Sequence, residues 1–181
     1  MMRHWRIFWT VFIFTLTVAQ SSSGLTLSAS PLSGKSHPEF DYSEKPLGLS
    51  QIINAQFTKS SFILNNWFQM SFKNVTWTDT TLVGTRAMKV DFDSVEFKNA
   101  NLSGFKCQHC AIKNSIFENV KMDGARFLGA VFINTHFKNA DLRRVDFISS
   151  TFTNCTLDSA SAKFLSAEKI RKWNLQVKEM P

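Results

Sequence analysis

An all-β fold of stacked coils is what the sequence predicts, and three observations within one stretch, Ala55 to Ser159, predict it. An apolar residue, in most blocks a large one, returns at every fifth position for 21 consecutive blocks without an insertion, running from Phe57, Phe62 and Trp67 to Phe147, Phe152 and Leu157. The residue two before each of these centres is usually small or medium, as at Ala55, Val75, Ala100, Val120, Ala130 and Val145. The residue two after is Asn or Gly in 11 of the 21 blocks. Asn and Gly tolerate positive φ better than other residues, so these positions read as sharp corners.

Neither regular element alone carries this period. A helix would rotate the large residue by about 140° at each five-residue step and leave no common face. A continuous strand, with its period of two, would send successive centres to opposite sides. A short extended run followed by a corner satisfies the pattern. The centre and the residue two before it then share the inward face, and the corner restores the parity that an odd step reverses. Chained corners make a coil, and stacked coils bury the inward side chains as continuous columns.

The block resembles the pentapeptide repeat family, whose pattern is a small residue, Asp or Asn, Leu or Phe, and two variable positions. Ala100-Asn101-Leu102-Ser103-Gly104 and Ala140-Asp141-Leu142-Arg143-Arg144 fit closely, and Ala125-Arg126-Phe127-Leu128-Gly129 is a looser copy. The resemblance implies a right-handed, four-sided (quadrilateral) parallel β-helix with four blocks per coil. It implies about five coils and a rod roughly 25 Å long at ordinary inter-strand spacing.

Before the repeat, residues 1–19 read as a secretory signal. Arg3 and Arg6 give a positive start, Ile7 to Ala19 is apolar apart from three Thr, and Thr17 and Ala19 are small at the −3 and −1 positions. The apolar run is shorter than the ~20 residues a membrane-spanning helix needs, and no Cys follows it for a lipid anchor. Residues 20–46, rich in Ser, Gly and Pro, read as a flexible linker. Residues 47–165 are then the β-helix, with a short helix or turn near Ser50 covering its first coil, because a bare coil would expose aromatic core and an unpaired strand edge. Residues 166–181 are read as a C-terminal capping α-helix. Ser166 is its N-cap, and Ile170, Trp173 and Val177 lie at helical spacing on the way to about Lys178. Its apolar side covers the last coil or, alternatively, docks a second copy as a homodimer.

Phe is abundant, 18 residues against one Tyr, and 11 of the Phe are block centres. The formal net charge of +7 falls to +5 without Arg3 and Arg6, a balance that suits anionic partners or simply solubility.

Cys107-Gln108-His109-Cys110 has the spacing of redox and zinc sites. Register argues for the interior, since Cys107 is a centre, and Cys110 and Cys155 take small-residue positions. The readings are core filler, a buried structural disulfide, or a thiol-redox or metal site. The second Cys pair of a zinc site and the βαβ context of a redox motif are both missing. His4, His37, His109 and His136 are scattered, and none pairs with a nucleophile in this register. Asp91, Asp93 and Glu96 fall at outward positions and read as a solvated cluster. The sequons at Asn74, Asn101 and Asn154 read as corner and repeat chemistry. No cofactor, metal or catalytic residue is expected.

With four blocks per coil, residues 20 apart stack. On the face of Trp67, Ala87, Cys107, Phe127 and Phe147, the outward residues after the centres are Phe68, Met88, Gln108, Leu128 and Ile148. Beside them, before the centres, stand Asn66, Arg86, Lys106, Arg126 and Asp146. Phe68, Met88, Leu128, Ile148, Arg86, Lys106 and Arg126 are therefore the expected partner-binding residues. The face of Phe57, Trp77 and Phe97 carries an alternating polar column instead. The functional expectation is a non-enzymatic exported scaffold, periplasmic or secreted, whose partner is a protein or an anionic envelope component. Thiol redox chemistry, metal binding, or capture of anionic lipid or polymer are the alternatives. Family members resembling quinolone-protection proteins imitate DNA, which needs a cytosolic address and an acidic surface. The signal and the basic balance point away from that role, and DNA is not an expected partner.

Overall fold

The computed structural model describes residues 32–179 apart from 45, 46 and 49. The signal read in residues 1–19 lies outside the described residues. Strands pair in parallel with a constant offset of 20 residues, as in Phe57 with Trp77, Phe97 with Phe117 and Phe117 with Phe137. Four extended runs per coil make four faces. Face A holds the centres Phe57, Trp77, Phe97, Phe117, Phe137 and Leu157, and face B holds Phe62, Leu82, Leu102, Met122 and Leu142. Face C holds Trp67, Ala87, Cys107, Phe127 and Phe147, and face D holds Ile52, Phe72, Phe92, Ile112, Phe132 and Phe152. Faces A and D belong to one 11-stranded sheet, joined through the long strands Gln51–Thr58, Ser71–Thr78 and Asp91–Lys98. Face C is a separate 6-stranded sheet, and face B is held by single bridges such as Thr81 to Asn101.

The corner geometry extends beyond its Asn and Gly residues. Every block from Phe57 to Phe152 has positive φ two residues after its centre, including Leu64 at 54°, Gln69 at 51° and Arg144 at 52°. The fold imposes this conformation even where it costs about 1–2 kcal/mol. Asn at these corners adds a second benefit, because its amide bonds to the corner one coil away. Asn74 donates to Asn54 at 2.7 Å, Asn134 to Asn114 at 3.0 Å and Asn139 to Asn119 at 2.8 Å. Gly84 suits its corner twice over: its φ is 67°, and a Cβ there would lie 2.8 Å from Leu64 Cδ2.

Inside, the centres form one core, and several buried hydroxyls at the small-residue positions donate to carbonyls of the preceding coil, whereas Thr80 Oγ1 is buried without a hydrogen-bond partner. Ser60 Oγ donates to the His37 carbonyl at 2.9 Å, and Thr135 Oγ1 to that of Ile112 at 3.2 Å. Asn65 donates to the Tyr42 carbonyl at 2.5 Å and accepts from the Trp67 indole at 3.1 Å, so the buried amide and the indole N–H are both satisfied.

Four expectations need correction. The stack is longer than about five coils: eight rungs line face A, or about seven turns, roughly 34 Å at usual spacing. The described part of the expected linker, residues 32–44, is a coil rather than a linker. Ser36–Pro38 pairs with Gln56–Thr58, His37 stacks on Phe57 at 5.0 Å, and Tyr42 stacks on Phe62 at 5.0 Å. Flat rings of His and Tyr act as centres there, in phase with Phe57. Among the described residues near Ser50 no helix or turn caps the rod. Leu47–Gly48 and Gln51–Thr58 are strands that continue it, and the coil built on His37 and Tyr42 covers them. Finally, the helix capped by Ser166 spans Ala167–Lys172 and does not reach Lys178, because the chain turns back so that Gln176–Val177 can pair with Thr156–Leu157.

The C-terminal end is closed by two short helices, α1 (Ser159–Ala162) and α2 (Ala167–Lys172). Asp158 caps α1 by accepting from the Ser161 amide at 2.8 Å, and it also accepts from the Asn139 amide at 2.8 Å. Burial alone would raise the Asp158 carboxyl, but these hydrogen bonds outweigh it and hold the group below the ordinary range. Beyond α2, Trp173 lies against Phe147 at 5.1 Å and Phe152 at 6.0 Å, with Leu165 and Leu175 buried beside it.

Candidate functional site

Face C places the seven expected partner-binding residues as their spacing predicts. Arg86, Lys106, Arg126 and Asp146 are register partners in successive rungs, as are Phe68, Met88, Gln108, Leu128 and Ile148. The strands are only three residues long, Arg86–Met88, Lys106–Gln108 and Arg126–Leu128, so each contributes one inward centre flanked by two outward side chains. Phe68, Met88, Leu128 and Ile148 are 40–47% exposed, high for large apolar side chains. Only Gln108 interrupts their column.

The cation column is equally unusual. Salt bridges on the other faces engage Lys98 with Glu96, Lys138 with Glu118, Arg143 with Asp141 and Arg144 with Asp123. Arg144 and Arg143 hold the Asp123 and Asp141 carboxyls below their usual range through hydrogen bonds. Among the described residues Arg86, Lys106 and Arg126 join no such pair. Like charges stacked on neighbouring strands repel, so nothing in the fold itself rewards this arrangement.

Two neighbours were missed. Lys89 stands at the corner of face C, at φ 54°, on the other side of the apolar column. Val131, 39% exposed, begins face D just past the corner at Gly129 and extends the apolar surface around it. Both were legible in the register, since each holds an outward or corner position in a block beside those on face C. The imidazole of His109 lies over Gly129, so that a Cβ there would come within 2.8 Å of its Nδ1.

The cysteines resolve toward structure. Cys107 and Cys110 are disulfide-bonded across the corner between faces C and D, and both are buried. An attacking thiolate has no path to either sulfur. Burial pushes the Cys155 thiol up, which keeps it protonated and unreactive at neutral pH. Asp93 is outward as expected and lowered chiefly by a hydrogen bond from Asn114. His136 pairs with Thr156 at 2.6 Å. No group of three or more His, Cys, Asp or Glu among the described residues is arranged to hold a metal, and none of their helices is long and apolar enough to cross a membrane.

Residues 90–164 match the family described as a pentapeptide repeat region. The match makes this part of the chain similar to pentapeptide repeat regions. No curated protein matches the chain. Among solved structures, a trypsin-treated variant of QnrB1, a plasmid-mediated fluoroquinolone resistance protein, is similar at 14% identity and TM-score 0.49, covering 84% of this chain and 86% of that one. A pentapeptide repeat protein from the Arabidopsis thaliana thylakoid lumen is similar at 18% identity and TM-score 0.38, covering 66% and 72%. The family match ends at 164, while the described repeat geometry starts some fifty residues earlier, at the strand Ser36–Pro38. Of the seven residues on face C, the match therefore spans Lys106, Arg126, Leu128 and Ile148.

Proposed function

We propose that this chain is an exported, non-enzymatic pentapeptide repeat scaffold that holds a protein or anionic envelope component against face C. One observation carries the reading: the unpaired column of Arg86, Lys106 and Arg126 runs beside the exposed column of Phe68, Met88, Leu128 and Ile148. Neither column serves the fold, and together they offer charge and apolar area to a partner. Export is supported by the signal read in residues 1–19 and by the Cys107–Cys110 disulfide, which suits an oxidising compartment.

A homodimer through the C-terminal helix is a further arrangement. Its apolar residues Ile170 and Trp173 already pack against the core, which weighs against it. Light scattering over a range of concentrations tests it directly, and a concentration-independent monomer excludes it.

The test of the main reading is crosslinking pull-down from fractionated native cells, comparing the natural chain with a variant in which Arg86, Lys106 and Arg126 are changed to Glu. Capture lost with the fold intact is the expected result; capture unchanged by the reversal would remove face C from the account.

A further inference from the structure

We propose that the partner of face C is the surface of an anionic lipid bilayer. The inference rests on the face C reading above and names the chemistry that reading leaves open. Constant 20-residue register stacks the two columns side by side along the face, one residue per rung in each. Each strand in the middle of the stack is hydrogen-bonded on both sides, as Lys106–Gln108 is between Arg86–Met88 and Arg126–Leu128, so the middle of the face offers no strand edge to an added peptide strand.

Phe68, Met88, Leu128 and Ile148 are exposed on this face. Cations edge them on both sides, with Arg86, Lys106 and Arg126 before the apolar column and Lys89 after it. A membrane interface has the same layered chemistry. Apolar side chains enter the boundary between headgroups and acyl chains while Lys and Arg remain among the phosphates. A folded protein partner would have to present a matching surface with acidic groups in line with Arg86, Lys106 and Arg126. A bilayer presents anionic headgroups everywhere and needs no register. Val131, exposed just past Gly129, adds to the inserted edge.

The measurement is co-sedimentation of the full chain with phosphatidylcholine vesicles and with vesicles containing about one-third phosphatidylglycerol, at low and high salt. Neutral vesicles also control for the apolar residues 7–19. Binding to the anionic vesicles that weakens as salt is raised is expected. Changing Arg86, Lys106 and Arg126 together to Gln should weaken it on the order of 100-fold, at roughly fivefold per basic residue near the surface. A second variant, Leu128→Ser with Ile148→Ser, keeps the charges and should also weaken binding; circular dichroism and thermal unfolding confirm that both variants fold. Equal binding to neutral vesicles, or equal binding by the Gln variant, would overturn the proposal. So would absence of binding to anionic vesicles at low salt. If vesicles fail while the charge-reversed variant still loses a crosslinked protein, the bilayer falls and face C stands as a protein-binding surface.

Discussion

Faces A and C lie on opposite sides of the same coils and solve opposite problems. Inside face A the rings form an unbroken stack: Phe57 to Trp77 at 5.9 Å, Trp77 to Phe97 at 4.8 Å, then Phe117 and Phe137 at 5.0 Å each. Outside it, Lys98 and Lys138 are paired with Glu96 and Glu118. Inside face C the column breaks in the middle, where Ala87 and Cys107 replace rings. Phe105, from a small-residue position, reaches in between Trp67 and Phe127 at 6.2 Å from each. Even so, a void of about 10 Å³ stays among Phe92, Phe97, Leu102, Phe105, Cys107, Ile112, Phe117 and Phe127. Outside face C the charges are unpaired and the apolar residues exposed. One face is therefore ring-stacked inside and ion-paired outside, and the other is patched inside and left open outside.

The largest effect should come from breaking the stack of face A. Phe117→Ala removes a ring held between Phe97 and Phe137, and it should cost about 3–5 kcal/mol in urea unfolding. A loss below ~1 kcal/mol would mean that the ring stack contributes little. The disulfide of face C comes next. Closing so short a loop is worth about 2 kcal/mol on loop-entropy grounds, so Cys107→Ala with Cys110→Ala should lower stability by about that much. The buried bond should also resist reductant in the folded protein, and intact mass after alkylation reads this out. Rapid reduction at neutral pH without unfolding would return the motif to the list of reactive thiols.

Most of face C was legible in the sequence because the five-residue period assigns inside, outside and corner by counting. Phe68, Met88, Leu128 and Ile148 needed only the 20-residue stacking rule to become neighbours. Counting failed at the ends, where residue identity departs from the pattern while the backbone keeps it. His37 and Tyr42 are in phase with Phe57, but neither is an aliphatic residue or Phe, and the Ser, Gly and Pro around them look like a linker. At the other end Ser166 did cap a helix, yet the strand pairing of Gln176–Val177 with Thr156–Leu157 stopped it early. That competition is a tertiary contact that no local spacing carries. The cysteine pair was ambiguous for a similar reason: register put both side chains inside, and only the path around the corner at His109 brings the two sulfurs together.

The smallest effect tests the contrast in charge most directly, because two substitutions of one kind should move stability in opposite directions. Lys98→Glu on face A places a carboxylate beside Glu96 and opposite Glu118, so it should destabilise by roughly 0.2–1 kcal/mol. Lys106→Glu on face C places one between Arg86 and Arg126, so it should stabilise by roughly the same 0.2–1 kcal/mol. The Lys98 ammonium is raised above its ordinary value of 10.5, first by its hydrogen bond to Glu96 and then by that charge. A raised cation lends stability that is full below the unfolded value and lost as pH rises through the folded one. The Lys98 penalty should therefore be complete at neutral pH and shrink above pH 10.5. Urea midpoints with unchanged slopes decide the matter. Shifts of the same sign at both positions would show that face C is no more strained than face A, and that its cations need no partner from outside.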